Sequence, residues 1–307
     1  MKTKQKTLYK QYFPVNNALM ERYNKLGCSC KKIELKTCIR INTLKIEENV
    51  LLARLKKLGV KIEKVPFLKS GYYSESKFSL GATLEYLQGY YYLQEAASQI
   101  PVQVLDPLPD DIVLDMCASP GSKTTQIAQW MGNRGKIIAL DNDSRRLFAL
   151  RNNLERCAVK NCVLYKKDAR FSTDFNIKFD KILLDAPCSG NYVIEENFFY
   201  EKNIHGIKER ARLQRELLKS AFNALKVGGI LVYSTCSLEP EEDEMNIDWV
   251  LSKYPELELI DTGLKIGDEG LTDVFGKKLN PTISKCRRFW PTKTETEGFF
   301  IAKLVKK

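Results

Sequence analysis

From residue 112 onward the hydrophobic pattern alternates between two periods. Short runs rich in Val, Ile and Leu at 112–116, 136–140, 162–165, 179–184 and 229–234 read as buried strands. Longer stretches with apolar residues three and four apart, at 124–131, 144–157, 207–225 and 240–251, read as helices. Strand followed by helix, repeated, predicts an α/β unit with a parallel, doubly wound sheet. The last apolar run, 298–304, predicts a further strand that completes the sheet as an antiparallel partner. Upstream the texture is different. Val50, Leu51, Leu55 and Leu58 follow helical spacing over 47–58, Gly59 closes that helix, and Val60 and Ile62 then alternate as in a strand. A small mixed α/β module fits this segment. Pro101, Pro107, Pro109 and the pair Asp110, Asp111 break up any period between 101 and 111, which places the boundary between two units, 1–105 and 106–307.

Composition sharpens this division. Apolar residues make up 44% of the 307, enough for one large or two modest cores, and disordered or fibrous classes are excluded. The net charge of +11 is concentrated in the first third: residues 1–100 carry 18 Lys and Arg against 8 Asp and Glu, and the remainder 31 against 30. A basic unit joined to a nearly neutral one predicts a polyanion-binding module attached to a catalytic one. The longest run without a charged residue is 12, at 227–238, well short of the ~20 that a membrane helix needs. The basic start at 1–6 is followed by Tyr9, Lys10, Gln11 and Tyr12 and not by an apolar signal core, so a cytoplasmic protein without a membrane partner is expected. Nine cysteines at irregular spacing read as thiols and not as a disulfide framework. Cys28, Cys30 and Cys38 have no fourth ligand at a zinc-like spacing, and no metal is expected. With His205 as the single histidine, expected on the surface, catalysis must run on Cys, Asp, Lys or a cofactor.

In a doubly wound sheet, ligands bind where strands end and strand order reverses. The strand ends here are chemically loaded. The first leads into Asp115, Met116, Cys117, Ala118, Ser119, Pro120, Gly121, Ser122 and Lys123, a small-residue loop entering a helix, where backbone N–H groups can meet an anion. Neither Gly-x-Gly-x-x-Gly nor the P-loop spacing is present, which argues against a dinucleotide or nucleotide triphosphate. Asp141 ends the second strand, where an acid can accept hydrogen bonds from a ribose diol, and Asp168 follows the third, where an acid can meet an adenine amino group. Helix capping is the competing explanation for each. Three acids at successive strand ends beside a small-residue loop favour a nucleoside cofactor lacking a pyrophosphate, a description that S-adenosyl-L-methionine suits. The fourth strand ends in Asp185, Ala186, Pro187, Cys188, Ser189, Gly190 and the fifth in Thr235, Cys236, Ser237, so two thiols emerge on the cofactor edge. Thiolate addition to C6 of a pyrimidine makes C5 electron-rich enough to take a methyl group, and an Asp can meet the cytosine N3. Spacing alone does not assign the two cysteines to separate roles.

These segments, with Gln94–Ser98, Gln214–Leu218 and Phe289-Trp290-Pro291, resemble the Sun/Fmu-type RNA cytosine-5 methyltransferases, from about Cys38 to the end of the chain. The resemblance implies a Rossmann-like class I methyltransferase sheet preceded by a small basic α/β RNA-binding domain. It implies Cys236 as the nucleophile at C6, Cys188 as the group assisting release, Asp185 at the cytosine N3 and amino edge, and Lys123 near the catalytic pocket. Around the S-adenosyl-L-methionine it places Cys117, Ala118, Ser119, Pro120, Gly121, Ser122, Lys123, Asp141, Arg146, Asp168 and Asp185. The chain departs from the family pattern at Ser119 and Ser122, where Ala and Gly are frequent, at Thr292 after Pro291, where His is frequent, and at 191–196, which lack the Gly- and Arg-containing continuation of the first cysteine loop. A monomer acting on RNA, transfer RNA in preference to ribosomal RNA, is expected. The alternatives are ribosomal-RNA methylation, amino-directed methylation, for which the Asp-Pro-Pro-aromatic type of loop is absent, and a non-catalytic RNA-binding factor. First-turn acids Glu241, Glu242 and Asp243 are expected to sit on the dipole of a helix starting near Pro240.

Overall fold

Two sheets follow one another along the chain. The computed structural model describes residues 16–307, so the basic start at 1–6 and the Tyr9–Tyr12 stretch lie outside the described residues. Helix α1 (Asn17–Lys25) is capped by the Asn16 side chain, which accepts from Leu19 N at 3.1 Å. It precedes strand β1 (Cys38–Ile41), helix α2 (Glu48–Lys57), and strands β2 (Lys61–Lys64), β3 (Gly71–Glu75) and β4 (Tyr91–Leu93). The four strands form an antiparallel sheet in the order β2-β3-β1-β4. Its core includes Ile39, Ile41, Leu51, Leu55, Val60 and Tyr91; of the apolar positions that the α2 spacing indicates, Leu51 and Leu55 are buried, whereas Val50 and Leu58 are exposed. Gly59 takes a φ of +79°, the left-handed conformation that ends a helix without a Cβ clash. Tyr91 and Tyr92 are buried, and the Tyr91 hydroxyl donates to Leu80 O at 2.7 Å.

Helix α3 (Ile100–Leu105) then leads to the large sheet. Its alternation is β5 (Ile112–Asp115), α4 (Ser122–Trp130), β6 (Lys136–Asp141), α5 (Ser144–Arg156), β7 (Cys162–Lys166), β8 (Phe179–Asp185), α6 (Ile204–Ala224), β9 (Leu225–Thr235) and α7 (Glu244–Lys253). The C-terminal part adds β10 (Leu257–Ile260), β11 (Asp268–Glu269), the hairpin β12 (Asp273–Val274) and β13 (Lys277–Lys278), β14 (Arg287–Phe289) and β15 (Phe299–Lys306). Strands order as β11-β14-β15-β9-β8-β5-β6-β7, with β10 also pairing β15. Strands β5 to β9 are parallel, and β15 runs antiparallel to β9, Ala302 opposite Tyr233, as the last apolar run predicts. The chain leaves β5 toward β6 and β7 and returns on the other side with β8, so strand order reverses between β5 and β8.

Helices cover both faces. On one, Ile100, Val102, Ile127 and Ala128 pack on Val113, Leu183, Val232 and Ile301. On the other, Leu217, Leu218, Ile247 and Val250 pack on Leu114, Leu184, Leu231 and Phe300. Both faces of the sheet are buried, hence strands read as continuous Val/Ile/Leu runs. The small sheet is fixed to the large one by Arg40, itself buried, whose guanidinium donates to Gln94 Oε1 at 2.6 Å, Ser122 O at 2.5 Å and Thr125 Oγ1 at 2.7 Å.

One expected element starts elsewhere. The helix read from Pro240 begins at Glu244, so Glu241, Glu242 and Asp243 are not its first turn. Their side chains are used by tertiary partners instead. Asp243 accepts from Thr235 Oγ1 at 2.6 Å and from Arg288, Glu242 bonds Ser189, Ser237 and Gln214, and Glu241 pairs with Arg22 at 2.7 Å. His205 is exposed on α6, as expected.

Candidate active site

The ends of β5, β6, β8 and β9 converge at the reversal point. After β5, Asp115 is buried and its Oδ2 accepts from Thr124 Oγ1 at 2.7 Å, which ties the strand end to the first turn of α4. Burial pushes this carboxyl up to about 7 against the Thr124 hydrogen bond. Gly121, with φ +107°, lets α5 approach the loop: a Cβ there would stand 2.8 Å from Leu150 Cδ1. Beyond β6, Asp141 Oδ1 accepts the Asp143 N–H at 3.0 Å and Oδ2 faces Arg146 at 3.5 Å, while Arg146 also donates to Ser119 O at 3.0 Å. Asp168 caps the turn after β7 and is gripped by Arg170, which holds its carboxyl below the usual range.

The two thiols that leave β8 and β9 meet. Cys188 Sγ lies 3.1 Å from Cys236 Sγ, so one thiol donates to the other; all nine cysteines are free. That hydrogen bond, then burial, raises the Cys188 pKa. Asp185, at the end of β8, has both oxygens occupied: Oδ2 lies 2.8 Å from Lys123 Nζ, and Oδ1 accepts from Ser234 Oγ at 2.7 Å. Lys123 also donates to Ser98 Oγ at 2.9 Å. Burial works against the lysine charge, but Asp185, Glu297 and Cys236 outweigh it and its pKa is raised.

Two adjoining cavities share the wall formed by Cys117, Ser119, Asp185, Ala186 and Cys236. The larger, about 490 Å³, reaches past Asp141, Arg146 and Asp168 to Cys188. The smaller, about 250 Å³, is closed by Ala118, Pro120, Ser122, Lys123 and three residues not foreseen from the sequence, Ser98, Glu297 and Phe299. Of the expected site residues only Gly121 lines neither cavity; its contribution is the backbone turn. Ser98 belongs to a segment that carries the family resemblance, and Phe299 to the last strand, but nothing in the local pattern points either toward a pocket shared with the ends of β5, β8 and β9.

Behind the thiols stands a buried polar scaffold. Glu242 accepts from Ser189 N at 3.0 Å and Gln214 Nε2 at 2.7 Å, and Gln214 also donates to Pro187 O at 3.0 Å, which fixes the loop carrying Cys188. Arg288 bonds Glu244, Asp243 and Leu238 O. The loop 191–196 turns inward to α1: Tyr192 packs edge-on against Tyr23 at 5.8 Å and lies 3.6 Å from the Cys28 thiol. Among the described residues no group of three or more His, Cys, Asp or Glu is placed to hold a metal, and no helix is long and apolar enough to cross a membrane.

A family model for the 16S rRNA methyltransferase RsmB/F matches residues 102–305, and one for the N-terminal domain of 16S rRNA methyltransferase RsmF matches 12–96. This chain belongs to the RsmB/F methyltransferase family. Relatives in that family are RNA cytosine-C5 methyltransferases, and they act on more than one kind of RNA. The tRNA (cytosine(49)-C(5))-methyltransferase of Pyrococcus abyssi is 39% identical over 309 residues, 97% of this chain and 99% of that protein. The 25S rRNA (cytosine-C(5))-methyltransferase nop2 of Schizosaccharomyces pombe is 40% identical over 277 residues; the match covers 87% of this chain but only 46% of the yeast protein. The crystal structure of NSun6 from Pyrococcus horikoshii with SFG, an S-adenosylmethionine analogue, superposes with a TM-score of 0.81 at 30% identity, covering 98% of this chain and 97% of that one. The RsmB/F match spans the large sheet and the RsmF N-terminal match the small one.

Proposed function

We propose that this RsmB/F family member transfers the methyl group of S-adenosylmethionine to C5 of a cytosine in a transfer RNA. The observation that carries the reading is the pair of thiols 3.1 Å apart at the wall shared by two cavities. The larger cavity fits the cofactor: the Ser119 hydroxyl is buried there without a hydrogen-bond partner, and Asp141 and Asp168 stand where a ribose diol and an adenine amino group find acceptors. Bound S-adenosylmethionine supplies an electrophilic methyl group. The smaller cavity takes one base that has left its stack. Cys236, which touches both cavities, adds to C6 of that base. Cys188 keeps its proton while Cys236 attacks and assists release afterward. Asp185 accepts from the cytosine amino group, and Lys123 fixes Asp185.

The basic unit at 1–105 binds phosphates and orients the RNA. Lys45, Arg54, Lys56, Lys57, Lys64 and Lys69 are all exposed on it. Transfer RNA is favoured because the similarity to the Pyrococcus abyssi transfer-RNA enzyme runs over 97% of this chain, against 87% for the ribosomal-RNA relative from yeast. Cytoplasmic action as a monomer fits this reading.

Incubating the protein with labelled S-adenosylmethionine and purified transfer or ribosomal RNA tests it. Label should enter transfer RNA as 5-methylcytosine. Cys236→Ala should reduce it to background, and Cys188→Ala should accumulate a covalent protein–RNA adduct on a denaturing gel. Adduct with Cys236→Ala instead reverses the roles, and label on an exocyclic nitrogen removes the thiol mechanism.

A further inference from the structure

The base pocket contains a carboxyl group that the reaction outlined above does not use. Glu297 lies two residues before β15 and lines the same 250 Å³ cavity as Asp185, Lys123, Cys236 and Phe299. Its place is fixed relative to the nucleophile. The Asn191 amide donates both to Cys236 O at 2.7 Å and to Gly298 O at 3.2 Å, and a Cβ at Gly298 would stand 2.8 Å from Leu238 and 3.0 Å from Asn191. The corner bearing Glu297 is therefore held tightly against the loop bearing Cys236.

Three carboxyls surround one ammonium here. Glu95, Asp185, Lys123 and the Cys188 thiol act on Glu297 electrostatically, and Cys236 lines the same cavity. Lys123 is committed to Asp185 at 2.8 Å, and both Asp185 oxygens already accept, so Asp185 offers acceptors and no proton to the base. Glu95 accepts backbone N–H groups from Ala97 at 2.6 Å, Ser98 at 3.4 Å and Glu297 at 3.2 Å. No donor among the described residues hydrogen-bonds the Glu297 carboxyl. Two neighbouring buried carboxyls do not both ionise, and the proton settles on the one with fewer donors. That one is Glu297. Burial, then the Glu95 charge, raises its pKa well above the ordinary carboxyl value.

Resting on the cytosine-methylating reading, we infer that Glu297 is the acid of the base pocket: its carboxylic acid hydrogen-bonds N3 of the target cytosine and delivers its proton there as Cys236 adds to C6. The Cys236 thiolate forms the S–C6 bond, and the C5=C6 pair moves to C4–C5. The C4=N3 pair moves onto N3, which takes the proton, and Glu297 is left as a carboxylate. The proton returns from N3 to Glu297 when the thiolate departs. This moves the N3 contact from Asp185, where the family resemblance puts it, to Glu297; Asp185 keeps the 4-amino group, so one side chain reads each polar atom of the edge that distinguishes cytosine.

The test measures covalent adduct formation in a Cys188→Ala background, across pH, with unmodified transfer-RNA transcript. With Glu297 intact, the rate should fall on the alkaline side as the acid loses its proton. Glu297→Gln, a fixed neutral donor that cannot transfer a proton, should lose that alkaline limb and run slower at its optimum. Glu297→Ala should slow addition by about 10²- to 10⁴-fold, the usual contribution of a positioned acid. Calorimetric binding of S-adenosylmethionine, unchanged in both variants, shows that they are folded. An alkaline limb retained in Glu297→Gln, or wild-type adduct rates in Glu297→Ala, overturns the inference. So does a limb abolished by Glu95→Gln while Glu297→Gln keeps it. If the parent protein with Glu297 intact forms no adduct with RNA, the cytosine-methylating reading fails and takes this inference with it; an active parent with insensitive Glu297 variants overturns the inference alone.

Discussion

Asp115 illustrates how one side chain links the strand pattern to pH. It sits at the last position of a strand whose other residues are apolar, so it is buried with them, and Thr124 satisfies only one of its oxygens while Oδ1 has no partner. Its carboxyl is raised from 3.8 to about 7 in the folded protein. Ionisation is thus harder folded than unfolded, and the group reduces stability progressively as pH rises from about 4 to about 7, with no penalty below the unfolded value. Asp115→Asn keeps an acceptor for Thr124 and removes the charge. Relative to it, the wild type should lose stability between about pH 4 and pH 8, by at most about 4 kcal/mol if the whole shift is expressed. Urea unfolding of both proteins across this range measures the gap; a gap independent of pH would show that Asp115 does not titrate there. Cys188 and Cys236 belong to the same scale: neither is unusual alone, and the 3.1 Å between them is what makes them a pair.

Among the elements, the loop between β9 and α7 is where charge and packing depart from local rules. Its acids do not decorate a helix N-terminus. They are buried and bound by Arg288 on β14, by Arg22 on α1, by Ser189 beyond the end of β8 and by Gln214 on α6. Arg288 is fully buried, and burial disfavours its charge, but Glu244 and Asp243 more than compensate and raise its pKa. Removing one partner of such a cluster leaves the others charged and unsatisfied. Arg288→Met should therefore cost about 3–5 kcal/mol, read from the shift in the urea midpoint. Because Asp243 also accepts from Thr235, next to Cys236, the same variant should lower the methylation rate more than it lowers cofactor affinity. Loss of stability with catalysis unchanged at permissive temperature would separate the scaffold from the site.

For the whole molecule, the division of labour between a basic first unit and a nearly neutral second one makes an ionic prediction. Neutralising six to ten phosphates ties affinity to counterion release, so RNA binding should weaken by about 10³- to 10⁵-fold between roughly 50 and 200 mM salt. S-adenosylmethionine brings no run of phosphates, so its binding should change little over that range; equal loss of both would break the division. How much of this was legible beforehand differs with distance along the chain. Local patterning determined the alternation of β5 to β9 with their helices, the antiparallel return of β15, the α2 helix stopped by Gly59, and the placement of Asp141, Asp168, Cys188 and Cys236 at strand ends. Each of these depends on periods of two or 3.6 residues, or on the residue types placed directly after a strand. The three-dimensional fold alone decided that Glu297, Phe299 and Ser98 close the smaller cavity, that Glu241 to Asp243 precede their helix and do not begin it, and that Arg40 joins the two sheets. Those facts depend on which segments far apart in sequence are brought together by sheet order, and on which buried charges find a partner there, and neither is written in any single window of residues.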